Sequence, residues 1–563
     1  MMQRARTPGP TVAGGGGSMT IAAQLVNYGS TTSGTLRFTG IFEVPPGVLT
    51  DAMVTAKQVA IWKDGTELAC HIEAARGHHP GGTHLRGFRY DLDYAVSSAS
   101  PVTGFSVVIG TARTTTDISR RSIVTAQFTA RRWLVATSPS YLVTTWATGM
   151  PLAEASSWNA HETAWLKTLA DAAIVARDTQ PDDASKAGSA TYNAARVFKN
   201  LYLCTGDPSY LNEVWKSAKR WLDVYHLPTG TDPYGGYGET TQIDVESLGR
   251  YAEAFAEPYS VVDWDFPLLY MLTGWSYPWL LANSYGQRAT RAAAISATNN
   301  FNGQYGVRFN LRYIRHAATA QRFDCTYIYA NPDYGPRTAD FAAELPNILS
   351  AADYNKYDTS RGAYRANLRG QHTGLVNADL GWGAGNGDLP NFWMSVMNDF
   401  LIDYYHTIYA DSRIPGWVAT NFNIVVANAA TLPGSHYYVA SYGADPTKWA
   451  VPYRQTSTAS TSNSVDGGPA GSDGNNDPFD LCMHARAAAF LNATDGGATY
   501  NGKTAAQWLD IMTTPGQMSG MVWKDKFIGE TFQAMSMPYY RLNGDPGGPA
   551  SIHAPTVHTG APS

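Results

Sequence analysis

The chain has 563 residues, 44% of them hydrophobic and 15% charged, with a formal net charge of -5, which is enough for roughly two to four domains and a large core. That balance excludes a nucleic-acid surface, because no block of Lys and Arg is interleaved with aromatics, and no apolar run is long enough to span a membrane. The 16 Trp and 33 Tyr exceed what a core commonly needs; such rings line carbohydrate clefts, and they also fill large helical cores.

In chain order, residues 1–18 end in GGGGS before Met19 and read as a disordered leader or tag. From there to about residue 145, short β-branched and aromatic runs alternate with turns: Thr35 to Val44, Gln58 to Lys63, Glu67 to Glu73, Phe105 to Ile109 and Ser122 to Phe128. Lys63-Asp64-Gly65 marks a hairpin turn. Runs of this length and spacing predict an antiparallel β-sandwich over residues 19–145.

After Pro151 the period becomes helical. Helices are predicted over His161 to Arg177, Thr191 to Leu203, Tyr210 to Tyr225, Val262 to Leu272, Arg308 to Tyr327, Asn391 to Tyr409, Val418 to Ala430, Asp480 to Leu491, Thr504 to Met512 and Lys524 to Met537. LYLCTGDPSYLNEV at Leu201 and LYMLTGWSYPWLLAN at Leu269 each read as an aromatic helix end, a turn and an aliphatic helix start, and YYHTIYADSRIPGWV at Tyr404 follows the same plan. Thr205 and Thr273 are 273 − 205 = 68 residues apart, and Tyr409 lies 409 − 273 = 136 further on, twice that interval. A helical hairpin repeated at a fixed interval predicts an α/α toroid over residues 150–541, with a flexible tail at 542–563.

Two long loops interrupt the helices, Thr229 to Glu257 and Leu432 to Asp480; loops of that length are usually functional or disordered. The four cysteines, Cys70, Cys204, Cys325 and Cys482, have no metal spacing and read as free, buried thiols. Asp473, Asn475 and Asp477 in SDGNNDPFD have calcium-like spacing but lack the bidentate Glu of an EF-hand, and His78, His79 and His84 have no carboxylate or Cys to complete a metal set. No cofactor is expected; calcium at the Asp473 loop is the one ion the spacing allows.

FTGIFEVPPGVLTDA (Phe38 to Ala52), VAIWKDGTEL (Val59 to Leu68) and RGHHPGGTHLRG (Arg76 to Gly87) together resemble the opening β-domain of exo-acting rhamnogalacturonan lyases and related polysaccharide lyases. Where that family usually reads Trp-Pro-Asp-Gly-Ser, this chain keeps Pro80 and Gly82 and lacks the Trp and Asp. In those enzymes the β-domain precedes an α/α toroid, and the TGDPSYL-type turns are similar to toroid lyases, including phage exopolysaccharide depolymerases. The resemblance implies β-elimination on an acidic polysaccharide. It is architectural, and no catalytic signature matches residue by residue.

A lyase needs a group that neutralises the uronate carboxylate, a base for the proton α to it, and an acid for the leaving oxygen. Arg308 to Pro336 carries a basic stripe beside an aromatic one, with His316 at their border. His316, Tyr234 and Tyr237 in the first long loop, His372 in RGQHTGLVNADLGWG, and His436 and Tyr438 in the second long loop are the acid–base candidates. Arg312, Arg315, Asn377, Tyr329, Trp382 and Arg454 are the substrate-binding candidates, since guanidinium forks bind carboxylates and rings stack on sugars. Each Tyr also reads as a stacking platform and each His as a structural hydrogen-bonder. The rival chemistry is an inverting glycoside hydrolase with a carboxylate pair among Asp232, Glu239, Asp244, Glu246, Asp263, Asp265, Asp379 and Asp388. A third reading is a non-enzymatic glycan-binding phage tail module. The expected partner is an acidic polysaccharide, with no nucleic acid and no membrane. The amino terminus has no apolar signal core, which leaves three routes, cytoplasmic, released by lysis or built into a phage particle, with a virion-associated protein or one released by lysis to act outside the cell as the expectation.

Overall fold

The computed structural model describes residues 18–75, 79, 84–97, 101–120, 130–160, 162–164, 166, 171, 174, 194–226, 265–275, 278, 389–390, 398, 402, 405, 414–426, 429–431, 449–450, 454–455, 481, 484–495, 497–514 and 535–544. The predicted strand Ser122 to Phe128 and the predicted helices Arg308 to Tyr327 and Lys524 to Met537 fall wholly or almost wholly outside them.

Eight strands between Met19 and Ala136 make two antiparallel sheets, neither of them closed. β1 (Met19–Asn27), β3 (Val59–Lys63), β4 (Thr66–Leu68), β7 (Val102–Ile109) and β8 (Arg132–Ala136) lie in the order β4-β3-β7-β1-β8. β2 (Gly34–Glu43), β5 (Cys70–Ala74) and β6 (Gly87–Val96) lie in the order β2-β6-β5. The predicted Lys63–Gly65 turn joins β3 to β4, with Asp64 at φ 48 and Gly65 at φ 82; two left-handed residues match the twist of the strands they link. The predicted strand Glu67 to Glu73 is in fact two. The chain leaves β4 at Leu68, passes Ala69 and enters β5 in the other sheet at Cys70, so one apolar run serves two sheets.

Period-two alternation assigns the faces of the three-stranded sheet. Phe38, Phe88, Tyr90, Leu92 and Cys70 are fully buried and join Ile21, Leu25, Ile61 and Val107 of the larger sheet in one apolar cluster. Tyr94 of β6 meets Phe105 of β7 edge to face at 5.0 Å, and the Tyr90 hydroxyl takes a hydrogen bond of 2.6 Å from the Leu134 amide. The opposite face is a charge ladder. Arg37 forks onto Asp93 at 2.5 Å, Arg89 reaches Glu73 at 2.8 Å, Arg120 reaches the same Glu73 at 2.9 Å, and Thr39 donates to Asp91 at 2.7 Å. Among the described residues, three guanidinium groups of this face meet three carboxylates.

The helices Ala194–Thr205 and Asp265–Thr273 end in the same way. In LYLCTG (Leu201 to Gly206) the Thr205 hydroxyl donates to Leu201 O at 2.6 Å, Gly206 N donates to Tyr202 O at 2.8 Å, and Asp207 N returns to the Thr205 hydroxyl at 3.1 Å. In LYMLTG (Leu269 to Gly274) the corresponding distances are 2.7, 2.7 and 3.2 Å. Gly206 and Gly274 both sit in the left-handed region, at φ 73 and 70. The two predicted turns are thus one structural motif, set 269 − 201 = 68 residues apart. After the first, the chain re-enters a helix at Ser209–His226. The third predicted turn lies mostly outside the described residues; the helix that follows it, Ile414–Val426, begins four residues earlier than predicted. Pro415 and Pro538 explain this start and that of Met537–Asn543. A proline in the first turn removes no intrahelical hydrogen bond, so both helices begin at an Xaa-Pro pair. The second of these helices runs to Asn543, into the predicted tail.

The helices Ala194–Thr205 and Asp265–Thr273 dock on the sheets. Gly40 makes room for the end of the Asp265–Thr273 helix, since a Cβ there would stand 2.7 Å from Leu272 O. Lys199 lies 2.7 Å from Glu43, both of them buried, and the Tyr202 and Tyr141 hydroxyls donate to Ala136 O and Glu43 O, each at 2.8 Å. Burial, with Glu43 adding to it, holds both phenols well above their ordinary pKa, so they remain neutral donors. A cavity of about 30 Å³ remains in this seam, lined in part by Glu43, Tyr90, Lys199 and Leu272. It has room for a water or two and not for a sugar.

Farther along the chain, Arg541 forks onto Glu162 with both contacts at 2.7 Å, while Glu162 also closes a reciprocal cap with Asn159. Arg486, buried on the helix Ala485–Thr494, donates to the Tyr540 hydroxyl at 2.8 Å. The start and the end of the described helical region are therefore joined. No helix among the described residues is long and apolar enough to cross a membrane.

Candidate functional site

Of the sequence-predicted site residues, Arg454 is the one within the described residues. His316, Tyr237, Tyr234, His372, His436, Tyr438, Arg312, Arg315, Asn377, Tyr329 and Trp382 lie outside them. So do the rival carboxylates, except Asp265, which is the first residue of its helix. The Asp473 loop is outside as well.

Arg454 falls on a built piece of backbone. The second long loop was expected to lack regular structure, yet it contains β11 (Trp449–Ala450) and β12 (Arg454–Gln455). β11 pairs antiparallel with β10 (Ala430–Thr431), opposing Thr431 to Trp449, and β12 pairs with β9 (Leu389–Pro390), opposing Arg454 to Pro390. The first ladder brings together the two ends of segment 432–448, which carries His436 and Tyr438. The second sets Arg454 beside a strand that begins 389 − 382 = 7 residues after Trp382 and 389 − 377 = 12 after Asn377. Of the predicted site residues, these ladders place Arg454 alone; the others are related to them only by sequence distance.

An aromatic cluster supports the first ladder. Helix Ile414–Val426 leads into β10, and its Val426 carbonyl accepts from Asn501 Nδ2 at 2.8 Å. Asn501 and Gly502, at φ 45 and 74, form the tight turn of the hairpin between β13 (Thr499–Tyr500) and β14 (Lys503–Thr504). Thr504 caps helix Ala505–Thr513 in a capping box with Gln507, which fixes the hairpin to the helix. Trp508 on that helix is fully buried, donates to Tyr500 O at 2.6 Å and meets Trp449 edge to face at 5.2 Å and 82°. Phe422 meets Tyr500 in the same manner at 5.3 Å. Tyr500, hydrogen-bonded to Asp495, is pushed up to about 12 by burial and by that carboxylate, and so stays protonated. The Lys503 ammonium lies 4.9 Å from the Trp449 ring centroid and 5.9 Å from that of Trp508.

The arrangement offers a half-buried indole with a cation on it, on the ladder that pairs the strands flanking segment 432–448. Sequence reasoning did not single out Trp449 or Lys503. The signals were present in the Trp that ends GADPTKW and in the Asn-Gly turn before Lys503, which places that side chain on a hairpin. His79, weighed as a metal ligand, is buried with Nε2 2.8 Å from Val44 O, a structural contact. Among the described residues no group of three His, Cys, Asp or Glu side chains is placed to hold a metal ion. Cys70 and Cys204 are free and buried, as expected, and burial pushes both thiols up, away from reactive thiolate. No family model matches the chain, and no curated protein and no solved structure is found to be similar to it.

Proposed function

We propose that this chain is a polysaccharide lyase that cleaves an acidic, uronate-containing polysaccharide by β-elimination, with the two-sheet β module preceding a ring of helical hairpins. The observation that carries this reading is Arg454 held in register on the β12–β9 ladder, with a second short ladder pairing the strands that bracket segment 432–448, in whose sequence His436 and Tyr438 lie. The recurring LYxxTG helix ends and the Arg541–Glu162 link between the first and last described helical segments support the ring, because a closed array needs repeated hairpins and a joined start and end. The opening resemblance to lyase β-domains points the same way.

In this reading Arg454, with Asn377, neutralises the uronate carboxylate, which lowers the cost of carbanion character beside it. Tyr438 or His436 removes the proton α to the carboxylate. The bond to the 4-linked oxygen breaks, a carbon–carbon double bond forms, and the departing oxygen takes a proton from the other of the two. His316 with Arg312 and Arg315 is the second set to test.

The experiment follows ultraviolet absorbance and reducing ends together on uronate-containing polysaccharides. The expected result is that both rise, and that Arg454→Ala lowers kcat/KM by about a hundredfold or more while the fold is retained. Reducing ends without absorbance would establish hydrolysis and move attention to the carboxylates.

A further inference from the structure

Among the described cations, Lys503 belongs with those that rest on rings or amides and not on a carboxylate, as Arg131 does on Trp215 and Asn212. Arg37, Arg89, Arg113, Lys199, Lys216 and Arg541 each sit within ion-pair distance of a carboxylate. The ammonium of Lys503, by contrast, rests on two indole rings and pairs with no carboxylate among the described residues. It is held where it is, since β14 is fixed by the Asn501-Gly502 turn on one side and the Thr504 capping box on the other.

Trp449 is fixed as well. The buried Trp508 ring abuts it at 82°, and the ladder to Thr431 sets its backbone, so its orientation is determined before any ligand arrives. It remains half-buried, with part of its surface open. It stands 454 − 449 = 5 residues before Arg454 and at the closing end of segment 432–448.

We propose that Trp449 and Lys503 form a uronate-binding subsite, in which a sugar ring lies against the indole and its carboxylate draws the Lys503 ammonium off the aromatic face into a charge-assisted hydrogen bond. A sugar's C–H face suits an indole, and an ammonium without a counter-ion suits a carboxylate; both demands are met by an acidic sugar and only the first by a neutral one. The inference rests on the lyase reading for its setting but not for its chemistry, since it assigns binding alone.

The test is calorimetric titration of the full chain with size-defined oligogalacturonate and oligomannuronate, and with a neutral gluco-oligosaccharide as control, together with the ultraviolet assay on the same sugars. The expected result is saturable binding of an acidic oligosaccharide, weakened by about tenfold or more in Lys503→Gln and kept within about threefold in Lys503→Arg, with the unfolding midpoint unchanged in both. Lys503→Glu, a second variant on the same exposed hairpin, is expected to abolish that binding. Absence of saturable binding by either acidic sugar, equal binding of the neutral control, or wild-type affinity in Lys503→Gln would overturn the subsite. Binding without new absorbance supports the subsite and counts against the lyase reading; new absorbance with an unchanged KM in Lys503→Gln does the reverse.

Discussion

His484 is a fully buried imidazole whose two ring nitrogens have no hydrogen-bond partner among the described residues, and burial lowers its pKa from 6.5 to about 3. The sign of the consequence follows from the two states. Below about pH 6.5 the unfolded chain takes up a proton that the native fold refuses, so stability is intact above 6.5 and is lost as pH falls towards 3. The loss is roughly 1.4 kcal/mol per pH unit within that window. His484→Leu removes two unsatisfied polar atoms; equal or greater stability at neutral pH and a shallower slope between pH 5 and about 6.5 are expected in urea denaturation. A large loss of stability in that variant would mean that the imidazole has a partner it needs. Nothing at the residue scale made His484 legible in the sequence, where it is one polar residue before an Ala-rich helix. Lys503 was hidden for a different reason. Its proposed role rests on its two indole neighbours and on there being no carboxylate beside it among the described residues, and neither is displayed by a sequence.

The LYxxTG helix end is the element on which sequence and structure agree most closely. Its letters specify its bonds: Thr closes back on the preceding turn, and Gly accepts the left-handed conformation that lets its amide reach the Tyr carbonyl. Gly206→Ala and Gly274→Ala are each expected to lose about 1–2 kcal/mol by urea denaturation, since both positions have positive φ. Gly206→Ala should lose more. Its new Cβ would face the Thr137 backbone oxygen at 2.7 Å, whereas at Gly274 it would meet the Arg89 side chain at 3.2 Å, and a side chain yields more easily than a backbone. The reverse order would mean that Arg89, bonded to Glu73, is the more rigid neighbour. Elsewhere the local pattern misled. The run from Glu67 to Glu73 has one unbroken strand signature, yet the change of sheet at Ala69 is decided by which neighbours each half finds, which is tertiary information. The Arg454 ladder is only two residues long, too short for any period to register.

Across the whole molecule, the contact between Arg541 and Glu162 spans 541 − 162 = 379 residues. Glu162 is almost fully buried while Arg541 remains about one-third exposed, so Arg541→Ala leaves a buried carboxylate without its main partner. A loss of about 1–3 kcal/mol is expected, with earlier proteolytic cleavage near both ends of the helical region. Unchanged protease resistance would show that the ends are held by other contacts. The β module was legible in outline because short alternating runs and a hairpin turn are local signals. The Arg541–Glu162 contact was not, because its two members lie far apart in the chain and neither belongs to a motif. That separation also sets a timetable for synthesis. At about 5–20 residues per second a ribosome needs roughly 20–75 s to travel from Glu162 to Arg541. Throughout that interval the nascent chain carries a carboxylate whose partner has not been made. The β module can finish folding early, whereas the last link of the helical region must wait for the final stretch of translation.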